Sequence, residues 1–126
     1  MAEACDKKIL IADDVEMMLN LEELLLKKTG CAIIKAKTGT EALKLIQLEK
    51  PDIVLLDLIM PEMSGDVVCK FVKNNASLKG IKIIMVTSKG EEEAKQRCLA
   101  AGCDHYVTKP INHVELMGLV TGYLSR

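Results

Sequence analysis

Short apolar runs alternate with longer stretches of helical period along the whole chain. Ile9-Leu10-Ile11-Ala12, residues 31–36, Ile53-Val54-Leu55-Leu56, Ile83-Ile84-Met85-Val86 and Tyr106-Val107-Thr108 read as strands. Most are near-continuous apolar runs, which is what burial on both faces of a sheet requires. Between them, Met17, Met18, Leu21, Leu24 and Leu25 recur at helical spacing, and Gly30 stops that helix. Thr38-Gly39-Thr40-Glu41 is a capping-box pattern opening a helix through Leu43, Leu45, Ile46 and Leu48. Pro51 precedes the third strand. Ser64 is placed to cap a helix carrying Val67, Val68, Phe71 and Val72, and residues 74–80 form a polar loop. Ser88-Lys89-Gly90-Glu91 is a second capping-box pattern, opening a helix that Gly102 ends. Asn112 and Glu115 start the last helix, through Leu116, Leu119 and Leu124. The outcome is a (βα)5 alternation. It predicts an α/β domain whose five-stranded parallel sheet carries helices on both faces.

Length and composition narrow the function. A chain of 126 residues fits one domain with a full core, here residues 7–124 after a short tail at 1–6. A net charge of −1 gives no general attraction to nucleic acid or to an anionic membrane. Aromatics at 2% leave no surface on which bases would stack. No apolar run approaches the roughly 18 residues of a membrane span, and the first residues lack a signal-peptide pattern. The expectation is a cytoplasmic protein with no direct nucleic-acid or membrane partner. The five cysteines form no C-x-x-C pair, so zinc, redox and disulfide readings are weak. Cys31, Cys69, Cys98 and Cys103 read as small buried thiols, and Cys5 as a reactive thiol in a polar tail. His105 and His113 read as incidental surface residues.

The chemistry lies at the strand ends. The first strand runs into Asp13-Asp14, the third into Asp57, the fourth into Thr87 and the fifth into Lys109. A carboxylate ending a buried strand costs several kcal/mol unless a cation or hydrogen bonds compensate it. In open parallel sheets ligands bind beyond the carboxyl ends of the strands, where all these groups lie. Asp13, Asp14 and Asp57 crowded together should hold a divalent cation. An oxygen-only donor set favours Mg2+ or Mn2+, and the absence of histidine and cysteine from these strand ends, apart from His105 at the far end of the fifth strand, disfavours zinc. Lys109, Thr87 and the free N–H groups of a helix opening at Ser88 would bind a phosphoryl oxygen. Between the two halves sits a carboxylate, Asp57, able to accept a phosphoryl group.

Four motifs in order carry a resemblance: Ala12-Asp13-Asp14; Leu56-Asp57-Leu58-Ile59-Met60-Pro61-Glu62-Met63-Ser64-Gly65; Val86-Thr87-Ser88; and Tyr106-Val107-Thr108-Lys109-Pro110. The chain resembles the CheY-like receiver domains of two-component response regulators over about residues 7–124. The resemblance implies a flavodoxin-like fold with strand order 2-1-3-4-5. It implies that Asp57 is phosphorylated from a phosphohistidine on a sensor histidine kinase or a histidine phosphotransfer protein. Asp14 would ligate Mg2+ directly, Asp13 largely through water, and Ile59 through its backbone carbonyl. Thr87, the Ser88 N–H and Lys109 would bind the phosphoryl group. Lys109-Pro110 would be a cis peptide that aims the lysine. Thr87 and Tyr106 would form a switch reshaping the face of helix four, strand five and helix five, which a downstream protein target would read. A homodimer formed on phosphorylation is left open.

Ile59 and Lys89 depart from the best-known pattern and are expected to tune the lifetime of the acyl phosphate, branched Ile59 being unable to orient a hydrolytic water. A haloacid-dehalogenase-type phosphatase would need a second aspartate where Ile59 stands, to act as general acid. A flavin or dinucleotide carrier would need a phosphate loop where Asp13-Asp14-Val15-Glu16 would repel one. A non-phosphorylated pseudo-receiver would lack one of the acidic or lysine positions. The chain is thus expected to catalyse only its own phosphorylation and dephosphorylation. No output domain is expected within it, leaving open a stand-alone regulator or the excised receiver of a longer one.

Overall fold

The computed structural model describes residues 5–88 and 92–125. Among these residues five strands alternate with five helices: β1 (Lys8–Ala12), α1 (Glu16–Leu26), β2 (Ala32–Ala36), α2 (Gly39–Glu49), β3 (Ile53–Asp57), α3 (Gly65–Lys73), β4 (Lys82–Ser88), α4 (Glu92–Ala100), β5 (His105–Lys109) and α5 (His113–Leu124). The sheet order is β2-β1-β3-β4-β5, all parallel, as the resemblance implied. Pairing of β1 with β3 brings the first and third strand ends side by side, and Asp57 aligns with Val86, one residue before Thr87.

Strand alternation divides the interior into two cores. Leu10, Val54, Leu56, Ile83 and Met85 face one side, against Ala42 and Ile46 of α2, Val68 and Val72 of α3, and Ala94 and Cys98 of α4. Ile9, Ile11, Ile53, Leu55, Ile84 and Val86 face the other, against Leu19 and Leu26 of α1 and Leu116 and Val120 of α5. Each large aliphatic side chain buried this way contributes about 1.5–3 kcal/mol. The central strands, apolar on both faces, therefore fix the layering.

Several local expectations are corrected. In α1 the buried stripe is Leu19, Glu22 and Leu26, while Met17 and Leu24 are 76% and 67% exposed. Leucine and methionine occupy most of the helix circumference, so periodicity could not choose the inward stripe. After α1 a 3-10 turn, Lys27–Thr29, runs into Gly30 at φ 79, a left-handed stop suited to glycine. Thr38 caps α2 by accepting from the Glu41 N–H, but Glu41 reaches back to the Lys37 N–H, one residue beyond the usual box. Ser64 precedes α3 without capping it; its hydroxyl donates to Asp66 Oδ1 at 2.5 Å. On α3 the buried residues are Gly65, Val68, Cys69 and Val72, whereas Val67 and Phe71 are exposed. Ser88 ends β4, and the rest of the expected capping box, Lys89-Gly90-Glu91, lies outside the described residues. Cys5 is no free thiol: it forms a disulfide with Cys31, closing the segment before β1 onto the start of β2. Neither cysteine sits in a spaced motif, so only the adjacency of β1 and β2 revealed the pair. Cys69 and Cys98 are buried free thiols, and Cys103 is half-buried.

Candidate functional site

Strands β1, β3, β4 and β5 each deliver a polar residue to the carboxyl edge of the sheet. Asp13 follows β1 and is 1% exposed, Asp14 beside it is exposed, and Asp57 closes β3 at 5% exposed. Carboxylate oxygens of the three lie within 4.8 Å of one another. From β5, Lys109 Nζ donates to Asp57 Oδ2 at 2.7 Å and lies 3.5 Å from Asp13 Oδ2. The second separation is an ion pair and not a hydrogen bond, so that buried oxygen accepts no hydrogen bond among the described residues. Asp13 Oδ1 accepts from the Val15 N–H, and Asp57 Oδ1 from the Ile59 N–H at 3.3 Å. Thr87 is buried on β4, Ser88 is exposed beside it, and Tyr106 is half-buried on the edge strand under Lys95, whose ammonium stands 5.8 Å from its ring. The Lys109-Pro110 peptide is cis. Lys89 lies outside the described residues.

The loop after β3 is held from both sides. The Gly65 N–H donates to the Leu58 carbonyl, and a Cβ on Gly65 would stand 2.2 Å from the Asp57 carbonyl oxygen. A Cβ on Gly39 would stand 1.7 Å from the Met63 carbonyl oxygen. Only glycine lets α2 and α3 approach this closely. Leu58 and Met60 are buried, and Ile59 between them is 61% exposed. A bidentate pair from Arg97 to Asp66 ties α4 to the start of α3.

The charges are unbalanced toward acid. Burial pushes the Asp57 carboxyl above its usual value; the Lys109 ammonium pulls it down and Asp13 adds to the rise. Burial works against the Lys109 charge, but Asp57 and then Asp13 outweigh it, holding the lysine protonated above its ordinary range. Two nearly buried carboxylates and a third at the surface against one lysine leave room for added positive charge. Crowded oxygen donors with one orphaned oxygen suit a hard divalent cation completed by water.

A profile of the response regulator receiver domain matches residues 9–121. The chain belongs to the response regulator receiver family. It is 35% identical to the protein PilG of Pseudomonas aeruginosa over 117 residues, covering 93% of this chain and 87% of PilG. It is 38% identical over 121 residues to the transcriptional regulatory protein PhoP of Bacillus subtilis, spanning 96% of this chain but half of PhoP. Its fold superposes on a CheY-like receiver domain protein from Methanospirillum hungatei with a TM-score of 0.86 and 31% identity, covering 95% of this chain and 94% of that one. Receiver domains are signalling domains that bind Mg2+ in an acidic pocket, which gives the aspartate cluster its family context.

One residue of this receiver was missed by sequence reasoning. Glu22 of α1 is 4% exposed, its Oε1 has no hydrogen-bond partner among the described residues, and it feels the charges of Asp13, Lys109 and Asp57. Its signal was present in the sequence. It is the charged member of the Leu19–Leu26 stripe, three residues after Leu19, hidden by the leucines around it.

Proposed function

We propose that this receiver carries a phosphoryl group on Asp57 and transmits its presence through a protein surface. The supporting observation is the 2.7 Å pairing of Lys109 with Asp57 beside Asp13 and Asp14 at the carboxyl edge of the sheet. A carboxylate oxygen of Asp57 attacks phosphorus, and the P–N bond of a phosphohistidine on a sensor histidine kinase or histidine phosphotransfer protein breaks. The electron pair of that bond leaves with the imidazole, and an acyl phosphate remains. Asp13, Asp14, Asp57 and the Ile59 carbonyl would hold Mg2+, or Mn2+, which neutralises charge on the transferring group. Lys109 moves its ion pair from the carboxylate to the new phosphoryl oxygens, and Thr87 with the Ser88 N–H offers donors to them.

The new charge biases a two-state surface. Thr87 lies on β4 and Tyr106 on the neighbouring β5, so a shift of Thr87 toward the phosphoryl group opens space for the ring to turn inward. The face of α4, β5 and α5 would change shape, and a cytoplasmic protein target or a second copy would read it. Stand-alone signalling and service as the receiver of a longer regulator are both compatible with this role. The deciding experiment supplies Mg2+ and a small phosphodonor, then measures the intact mass and maps the adduct. One base-labile phosphoryl group on Asp57, absent from Asp57→Asn, is expected. No adduct on the wild type, or an equal adduct on Asp57→Asn, refutes the assignment.

A further inference from the structure

Between α3 and the second half of α4 lies a cleft of about 600 Å³, a size typical of small-molecule sites. Phe71 lines it from α3, and Ala100 and Ala101 on the α4 side are too small to fill it. Phe71 is the only phenylalanine of the chain and is 41% exposed, although helical spacing groups it with Val68 and Val72. The polar lining is rich in donors. Arg97 spends Nε and Nη2 on Asp66, which also accepts from Ser64, so both carboxylate oxygens are engaged and Arg97 Nη1 is left to donate. Asn75 Oδ1 accepts from Ser77, leaving its amide nitrogen. The Lys70 side chain is exposed and, like the Asn74 amide, has no partner among the described residues. The backbone carbonyls ending the two helices add little negative charge, because N–H groups of the following turns take those of Lys70, Val72, Arg97 and Leu99. With one engaged acid against two cations, the lining favours an acceptor-rich anion.

We propose that this cleft binds an adenine mononucleotide, the base over the Phe71 ring and the phosphate between Lys70 and Arg97 Nη1. Lys70 and Asn74 stand four residues apart on one face of α3, with Phe71 beside them, so one ligand reaches all three. The Asn74 amide carries the donor and acceptor that match an adenine edge. The inference does not depend on phosphorylation of Asp57. The occupant is assigned to a small molecule because Val67, Phe71 and two alanines make an apolar patch far below the roughly 800 Å² per partner of a stable protein interface.

The test titrates the full chain, labelled with nitrogen-15, with AMP, adenosine and ribose 5-phosphate in EDTA. Without a divalent cation the acid-rich strand edge repels phosphate and does not compete. AMP should give saturable NMR shifts at Val67, Phe71, Asn74 and Ala101. It should bind about tenfold more tightly than adenosine, the margin expected of one charged hydrogen bond. It should also bind about tenfold more tightly than ribose 5-phosphate, the margin expected of one stacked base. Lys70→Gln should bring AMP and adenosine to equal affinity, and Phe71→Ala should bring AMP down to ribose 5-phosphate. Both positions are exposed, so the remaining spectrum should not change. Lys44→Gln, at an exposed lysine of α2 outside the cleft, should leave all three affinities as they are. No saturable shift with AMP, or equal binding of AMP and ribose 5-phosphate by the wild type, overturns the proposal. An equal loss in Lys44→Gln and Lys70→Gln marks general attraction to a basic surface and overturns it as well.

Discussion

Replacing Glu22 with glutamine should stabilise the protein, and by an amount that depends on pH. Burial, then Asp13 and Asp57, push the Glu22 carboxyl from 4.5 up to about 8, with Lys109 opposing. In the unfolded chain the same carboxyl ionises near 4.5. Folding at neutral pH therefore requires Glu22 to keep or take up a proton. The carboxyl contributes fully below pH 4.5, loses ground as pH rises toward 8, and levels off above that. At about 1.36 kcal/mol per pH unit, the gap from 4.5 to 7 costs the wild type about 3 kcal/mol, approaching about 5 above pH 8. Glutamine has the same shape and no proton to lose, so its advantage should vanish near pH 4.5 and grow by those amounts. Urea unfolding of both proteins in EDTA at intervals from pH 4.5 to 9 measures the difference directly. Asp13, Asp57 and Lys109 are common to both and largely cancel. Curves that stay parallel across this range would refute the reasoning, because they would mean that Glu22 titrates as an ordinary surface acid.

Three further outcomes are expected. Ile59→Asn, at an exposed position, should leave the fold intact and shorten the life of the acyl phosphate by giving water a hydrogen-bonding partner; a decay of the mass adduct no faster than wild type counts against it. Cys5→Ser, or dithiothreitol added to the wild type, should lower unfolding stability by about 3.5 kcal/mol for a bridge across a sequence separation of 26, and denaturant midpoints unmoved by either would show that the bridge does not hold the fold. Gly65→Ala forces a Cβ onto the Asp57 carbonyl oxygen, so thermal unfolding should show a loss of at least about 2 kcal/mol together with slower phosphorylation. A melting temperature equal to wild type would show that the loop after β3 yields freely.

The two cores and the carboxyl-edge cluster followed from patterns local in sequence. Ile53–Leu56, apolar at every position, cannot be anything but a doubly covered strand once helices flank it. A charge that closes such a run is conspicuous because burial makes it costly. Asp13, Asp57 and Lys109 were legible for that reason, and Thr87 as the polar group closing its own run. The failures were of a different kind. Ser64 has the right identity for a helix cap, yet Asp66 two residues on takes its hydroxyl and holds Arg97, a partner 31 residues away. Cys5 and Cys31 lack any spacing signature, because their nearness is created by the pairing of β1 with β2.

By itself, then, the chain determined its elements, their parallel layering and the chemical types gathered at one edge, since apolar period and strand-end charge act over a few residues. Tertiary structure decided the rotation of α1, and with it that Glu22 and not Met17 or Leu24 points inward. It also decided which cysteines meet and how closely Lys109 approaches Asp57. Those outcomes depend on how separate elements pack against one another. A leucine-rich helix offers several nearly equal faces, and only the sheet and α5 beneath it select one.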